Sequence, residues 1–203
     1  MTKRNRTTLV VGVDLAGSVK RNTGICLLRG MTVASFATVH ADEDILSFID
    51  KARPDLVAID APLGLPRGRK SLEERSSEHF RQSDLELRKR GIRFFPLTLG
   101  PMRMLTSRGI MLKKEIEKLG IHVIEIYPGA AQDIWKINRK QGGLVRLRRG
   151  LENLGLKGLT KGMNGDELDA VTGALVGRLY LQGKAGVLGD VNEGAIIVPK
   201  AIT

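Results

Sequence analysis

Four acidic positions are spaced as a metal-dependent phosphoryl-transfer site would need them. Residues 8–14, Thr-Leu-Val-Val-Gly-Val-Asp, form an apolar run that ends in the carboxylate of Asp14. Residues 56–60 end in Asp60, and residues 121–125 end in Glu125. A fourth acidic group, Asp166 with Asp169, opens a long helical pattern. Short apolar runs rich in β-branched residues read as buried strands, and a carboxylate at the end of one lies on the rim of a sheet. Carboxylates that converge on a rim repel one another unless a cation compensates them. Mg²⁺ or Mn²⁺, which favour carboxylate oxygens, are the expected occupants.

Each position also has a purely structural reading. Gly12 and Gly17 permit close backbone approach around Asp14, yet Asp14 could simply begin a turn. Asp60 precedes Ala61-Pro62, an abrupt exit that a turn aspartate also explains. Asp166 and Asp169 lie at i and i+3 and share one helical face, which continues through Ala170, Gly173 and Gly177. Small residues there would let the helix lie close to a sheet. After Asn164-Gly165, Asp166 is equally suited to cap that helix, with Asp169 at a dipole-favoured position in the first turn. Glu125 alternates with Ile124 and Ile126, so it could face solvent or enter the site. Arg81, Asp84 and Arg88 share a face of one helical pattern, as a surface ion-pair ladder or as a phosphate clamp.

Other chemistries find no support. His79, His122 and Cys26 lack zinc-ligand spacing. There is no phosphate-binding G-x-x-x-x-G-K-[ST] loop, and neither Ser18 nor Ser83 has the surroundings of an activated nucleophile.

The elements that must position the acids follow from periodicity and breakers. Strands are expected over residues 8–14, 24–29 and 31–40, with a hairpin turn at Arg29-Gly30. An amphipathic helix is expected over 42–52, a fourth strand over 56–60, helices over 72–90 and 102–119, and a fifth strand over 121–127. Short helical pieces should fill 130–159, a long helix 166–181 and a small terminal strand 195–198. This order predicts an α/β fold with a mixed sheet, formed as one domain over 1–203 with a helical insertion at 62–120.

The chain of 203 residues carries a formal net charge of +11 and is 42% hydrophobic. That is ordinary for a globular protein, and no apolar stretch approaches the roughly 20 residues of a membrane span. The first apolar run ends at Asp14, a poor signal peptide, and one cysteine excludes an intramolecular disulfide. A cytoplasmic protein is expected, with no membrane partner. The positive charge is clustered at Lys3/Arg4/Arg6, Arg67/Arg69/Lys70, Arg88/Lys89/Arg90/Arg93, Lys113/Lys114, Lys136/Arg139/Lys140 and Arg146/Arg148/Arg149. Such patches suit the phosphates of DNA or RNA, although a charge-rich solvated surface would look the same. The clusters hold almost no aromatics, so stacking on single strands is not expected.

Several segments resemble a known family. Val-Gly-Val-Asp14-Leu-Ala-Gly with Thr23-Gly24 is similar to the opening of ribonuclease H-like domains, particularly the Holliday-junction resolvases. More closely, Val57 to Pro66, Arg81-x-x-Asp84-x-x-Leu-Arg88 with Phe95-Pro96, Glu125-Ile-Tyr-Pro-Gly129 and Gly165-Asp-Glu-Leu-Asp169-Ala resemble the DUF429 family, predicted nucleases of ribonuclease H fold. The resemblance covers nearly the whole chain. It implies a five-stranded mixed sheet, first three strands antiparallel, flanked by helices. Asp14 would lie on the first strand, Asp60 on the fourth, and Asp166 or Asp169 on the last helix. The resolvases carry Glu where this chain has Asp60, a shorter reach that would shift the metal geometry.

The expected function is a metal-dependent nuclease. Asp14, Asp60 and Asp169 would hold two Mg²⁺ or Mn²⁺ ions about 4 Å apart, with Asp166 or Glu125 assisting. Arg81, Arg88, Lys89, Arg90, Arg93, Arg146, Arg148 and Arg149 would hold the nucleic-acid backbone. A phosphotransferase of the actin and sugar-kinase type is a second reading, but those proteins duplicate the fold and no repeat is visible here. A non-catalytic nucleic-acid binder is a third, and it leaves the acids unexplained.

Overall fold

The computed structural model describes residues 7–200. Strands β1 (Leu9–Asp14), β2 (Thr23–Arg29) and β3 (Thr32–Val39) form an antiparallel meander whose first hairpin partner, β2, reverses into β3 at Gly30, φ +60°. β4 (Leu56–Asp60) pairs in parallel with β1, and β5 (Val123–Ile126) in parallel with β4. β7 (Ile196–Pro199) runs parallel to β5, and β6 (Ala185–Leu188) closes that edge antiparallel to β7. The seven strands take the order β3-β2-β1-β4-β5-β7-β6.

Side-chain alternation divides the sheet into two apolar faces. Val11, Val13, Val57, Ile59 and Val123 face α1 (Asp42–Ala52) and α3 (Gly100–Lys118), where Ile45, Ile49, Leu112 and Ile116 cover them. Val10, Leu56, Ala58, Ile124 and Ile126 face α4 (Pro128–Ile134), α5 (Leu144–Asn153) and α6 (Gly165–Leu181). From Glu167 to Gly177 every residue of α6 is buried, so this helix is central rather than amphipathic. α2 (Gln82–Lys89) lies at the far edge, with Leu87 packed near Leu188, Ile196 and Val198.

The mixed sheet, the antiparallel opening and the flanking helices are as expected, but five strands was an undercount. β7 joins the same sheet through β5, and β6 was not anticipated. Its four residues are Ala-Gly-Val-Leu, with Val187 exposed and only Leu188 buried, so neither alternation nor an apolar run marks it. The helix expected over 72–90 is also corrected, since only Gln82–Lys89 is helical there. Residues upstream are instead gathered by the buried Arg69, whose guanidinium donates to the carbonyls of Ser71, Leu72, Glu74 and Glu78 at 2.8–3.0 Å. Ser71 and Ser76 hydroxyls accept from backbone N–H groups nearby, local bonds that compete with a helix. The basic cluster Lys3, Arg4 and Arg6 lies outside the described residues.

Candidate active site

Asp14 and Asp60 end the neighbouring parallel strands β1 and β4, and they are register partners. Residues side by side in a sheet project to the same face, so both carboxylates point toward α6. The helix can descend onto them because the strands beneath it carry glycine. A Cβ at Gly12 would overlap the carbonyl oxygen of Ala170, and one at Gly24 would overlap that of Asp166. Gly173 and Gly177 thin the helix from its own side, each within side-chain contact of Ile126, Leu56 or Val10.

Asn164, rather than Asp166, caps α6. Its side chain accepts from the N–H groups of Asp166 and Glu167 at 3.0 Å each, and Glu167 returns a bond from the Asn164 N–H at 2.9 Å. That corrects the capping alternative and leaves the Asp166 carboxylate for the site. Asp169, one turn on, accepts from Gln132 Nε2 at 2.7 Å, and Gln132 also donates to Thr172 Oγ1.

At the centre stands Lys140, on the short 3-10 turn Lys140–Gly142. Its Nζ lies 3.1 Å from Asp14 Oδ2, 2.8 Å from Asp166 Oδ1 and 3.0 Å from Asp169 Oδ2. Three carboxylates that arrive from β1 and α6 thus share one ammonium. Asp60 completes the group beside Asp14. One positive charge does not compensate four acids. Burial and then the Asp169 charge, opposed by Lys140, push the Asp14 carboxyl up to about 7. Burial and then Asp14 and Asp169 raise Asp60 well above the ordinary carboxylate range. Asp169 is raised by burial, opposed by Lys140 and Gln132. Burial works against the Lys140 charge, but Asp14 and Asp169 outweigh it and hold the ammonium protonated. As they stand, no three His, Cys, Asp or Glu side chains among the described residues are grouped so that they could hold a metal ion.

The cluster opens into a cleft of about 1060 Å³ lined by residues 14–18, Lys20, Arg21, Asn22, Met102, Leu105 and Lys140. Thr23 Oγ1 accepts from the Ala16 N–H, and the buried Arg108 donates to Ala16 O at 2.7 Å while it also binds Asp42 and the His40 carbonyl. The loop after Asp14 is therefore braced from both sides. Lys20 and Arg21 stand exposed at its mouth.

Glu125 does not join the cluster. It is the register partner of Ile59, not of Asp60, so it points to the opposite face of the sheet. There it is buried and accepts from Arg81 Nη1 at 2.6 Å, from Arg81 Nη2 at 2.7 Å and from the Leu63 N–H at 2.7 Å. Arg81 is 1% exposed and also binds Asp84, with its Nη2 3.0 Å from Oδ1. Both expectations are corrected: Glu125 is paired away from the acids, and Arg81 is out of reach of a nucleic acid. Together they tie α2 and the loop before it to β5.

Arg88, Lys89, Arg90 and Arg93 are exposed. So are Arg146 and Arg149 on α5, while Arg148 is half-buried, with its Nε 3.6 Å from Glu152. The sequence reading missed Lys140 and Gln132 as site residues. Lys140 is visible in the sequence only as one more member of a basic cluster, and no spacing links it to Asp14, 126 positions away.

A family model described as "Protein of unknown function (DUF429)" matches residues 12–193. No curated protein matches the sequence. Two solved structures from Thermus thermophilus are similar, "T. thermophilus RuvC in complex with Holliday junction substrate" and "Thermus thermophilus RuvC structure". Each has 14% identity and a TM-score of 0.49, over 87% of this chain and 96% of the other. No helix among the described residues is long and apolar enough to cross a membrane.

Proposed function

The chain belongs to the DUF429 family, and we propose that this member is a divalent-metal-dependent nuclease that hydrolyses phosphodiester bonds of DNA or RNA. The observation that carries the reading is the convergence of Asp14, Asp166 and Asp169 on one cation, Lys140 Nζ, with Asp60 alongside. The donors are all carboxylate oxygens, the set that Mg²⁺ and Mn²⁺ prefer. Burial raises Asp14, Asp60 and Asp169, with neighbouring carboxylates adding to it at Asp14 and Asp60, and a divalent ion would supply the positive charge that favours their ionised forms. Asp14, Asp60 and Asp169 would hold it, with Asp166 assisting.

When bound, the ion would lower the pKa of the attacking water and steady the charge of the leaving oxygen. The remaining work falls to the chain itself. Gln132 fixes the orientation of Asp169, and Arg108 with Thr23 fixes the loop that follows Asp14. Lys140, which bridges these acids in the metal-free protein, would pair with the scissile phosphate when the ion is bound. Lys20 and Arg21 at the cleft mouth, and Arg146 and Arg149 on α5, attract the backbone.

Cleavage of single-stranded, duplex and branched DNA and RNA tests this, with Mg²⁺ or Mn²⁺ and in EDTA. Wild type should cut at least one substrate only with the ion, and Asp14→Asn should lose at least about a hundredfold. Equal activity of the two proteins would remove the cluster from the reaction.

A further inference from the structure

Three of the five phenylalanines and one of the two tyrosines meet on a second concave surface, although the sequence scatters them between residues 80 and 127. Phe80, Phe94, Phe95 and Tyr127 line a groove of about 610 Å³ together with Arg88 and Arg93. Phe80 and Phe94 meet edge to face, centroids 6.1 Å apart at 85°. The Arg88 guanidinium lies 5.0 Å above the Phe80 ring, and that of Arg139 5.6 Å above Tyr127. Tyr127 Oη donates to the Arg93 carbonyl at 2.6 Å, and Arg139 is held by Asp133 at 2.6 and 2.9 Å, so the walls are fixed.

Phe95 is 71% exposed, which contributes little to the core. Among the described residues no carboxylate pairs with Arg88 or Arg93. A smaller cavity, of about 180 Å³, shares Phe94, Phe95 and Tyr127 with the groove and reaches Asp60. The aromatic surface and the acidic cluster are thus neighbours along one path.

We propose that this groove is a nucleobase site: an unpaired base of a DNA or RNA strand stacks on Phe95 while Arg88 and Arg93 hold the flanking phosphates. The assignment rests on the phosphodiester reading and narrows its substrate to strands with an unpaired base near the cut. Flat apolar faces beside unpaired guanidinium groups match the two surfaces of a nucleotide, its ring and its phosphate. A base within a duplex has both faces covered by its neighbours and cannot enter. The proposal departs from the expectation that stacking plays no part: the rings come from segments outside the basic clusters or at their edges.

Fluorescence anisotropy with short single-stranded and fully paired oligonucleotides, in EDTA so that nothing is cut, is the test. Phe95→Ala should weaken single-strand binding about tenfold, while Phe95→Trp retains it and duplex affinity stays as in wild type. Arg93→Ala should weaken binding and reduce the salt slope by about one contact, whereas Phe95→Ala should leave that slope alone. 2-Aminopurine in the strand should lose fluorescence on wild type and not on Phe95→Ala. Equal single-strand affinity of wild type and Phe95→Ala overturns the assignment. So does an equal loss on duplex, or no single-strand binding by wild type. Because no cleavage is read, failure here leaves the hydrolytic reading to stand or fall on Asp14→Asn.

Discussion

Asp14 and Asp60 are register partners at the ends of adjacent parallel strands, and burial followed by the Asp14 charge raises Asp60 well above the ordinary carboxylate range. Two acids so placed hold a proton that solvent-exposed acids would release. Burial and Asp169 lift Asp14 to about 7 from an ordinary value of 3.8. Between those values the folded protein binds more protons than the unfolded chain, so stability falls as pH rises through that window. Melting temperature in EDTA should therefore decline from pH 5 to pH 8, and Asp14→Asn should flatten the decline. At pH 8 that substitution should stabilise the metal-free protein by about 1–3 kcal/mol. A melting temperature that rises across the window would contradict the crowding of these acids.

Lys140 and a divalent ion would compete for the same oxygens. Without the ammonium, Asp14, Asp166 and Asp169 lose their shared partner, so Lys140→Met should cost the metal-free protein about 1–3 kcal/mol. Mn²⁺ should then raise its melting temperature by more than it raises that of wild type. A smaller rise would mean that Lys140 does not occupy the ion's place.

Arg81 and Glu125 predict a different signature. Their bidentate pair is buried on the other face of the sheet, and removal of either partner leaves the other charge without compensation. Arg81→Met and Glu125→Gln should each lower unfolding free energy in urea by about 3–5 kcal/mol. Cleavage per folded molecule should change little. An activity loss in Glu125→Gln without a stability loss would return Glu125 to the catalytic set.

What the sequence disclosed and what it hid follow from how each contact is specified. Asp14 and Asp60 end apolar runs, and a run fixes both its strand and its rim. The small residues Ala170, Gly173 and Gly177 announce a helix that lies close to the sheet, which carries Asp166 and Asp169 to that rim. Glu125 also ends such a run, but which face it takes depends on its pairing with Ile59, and register is a tertiary property. Lys140 reaches the acids from a distant turn, Arg69 unwinds an apparent helix through four carbonyl contacts, and the Phe80–Tyr127 groove is assembled from separate segments. None of these leaves a local pattern.

Asp14, Asp60 and Asp169 should together bind a divalent cation. Mn²⁺ binding by titration calorimetry at pH 7 and pH 8, for wild type and Asp14→Asn, tests it most directly. Wild type should bind with proton release that is larger at pH 7, where the Asp14 carboxyl is still partly protonated, and Asp14→Asn should bind at least about tenfold more weakly. Absence of binding by wild type, or equal affinity of the two proteins, would mean that these acids do not bind the ion.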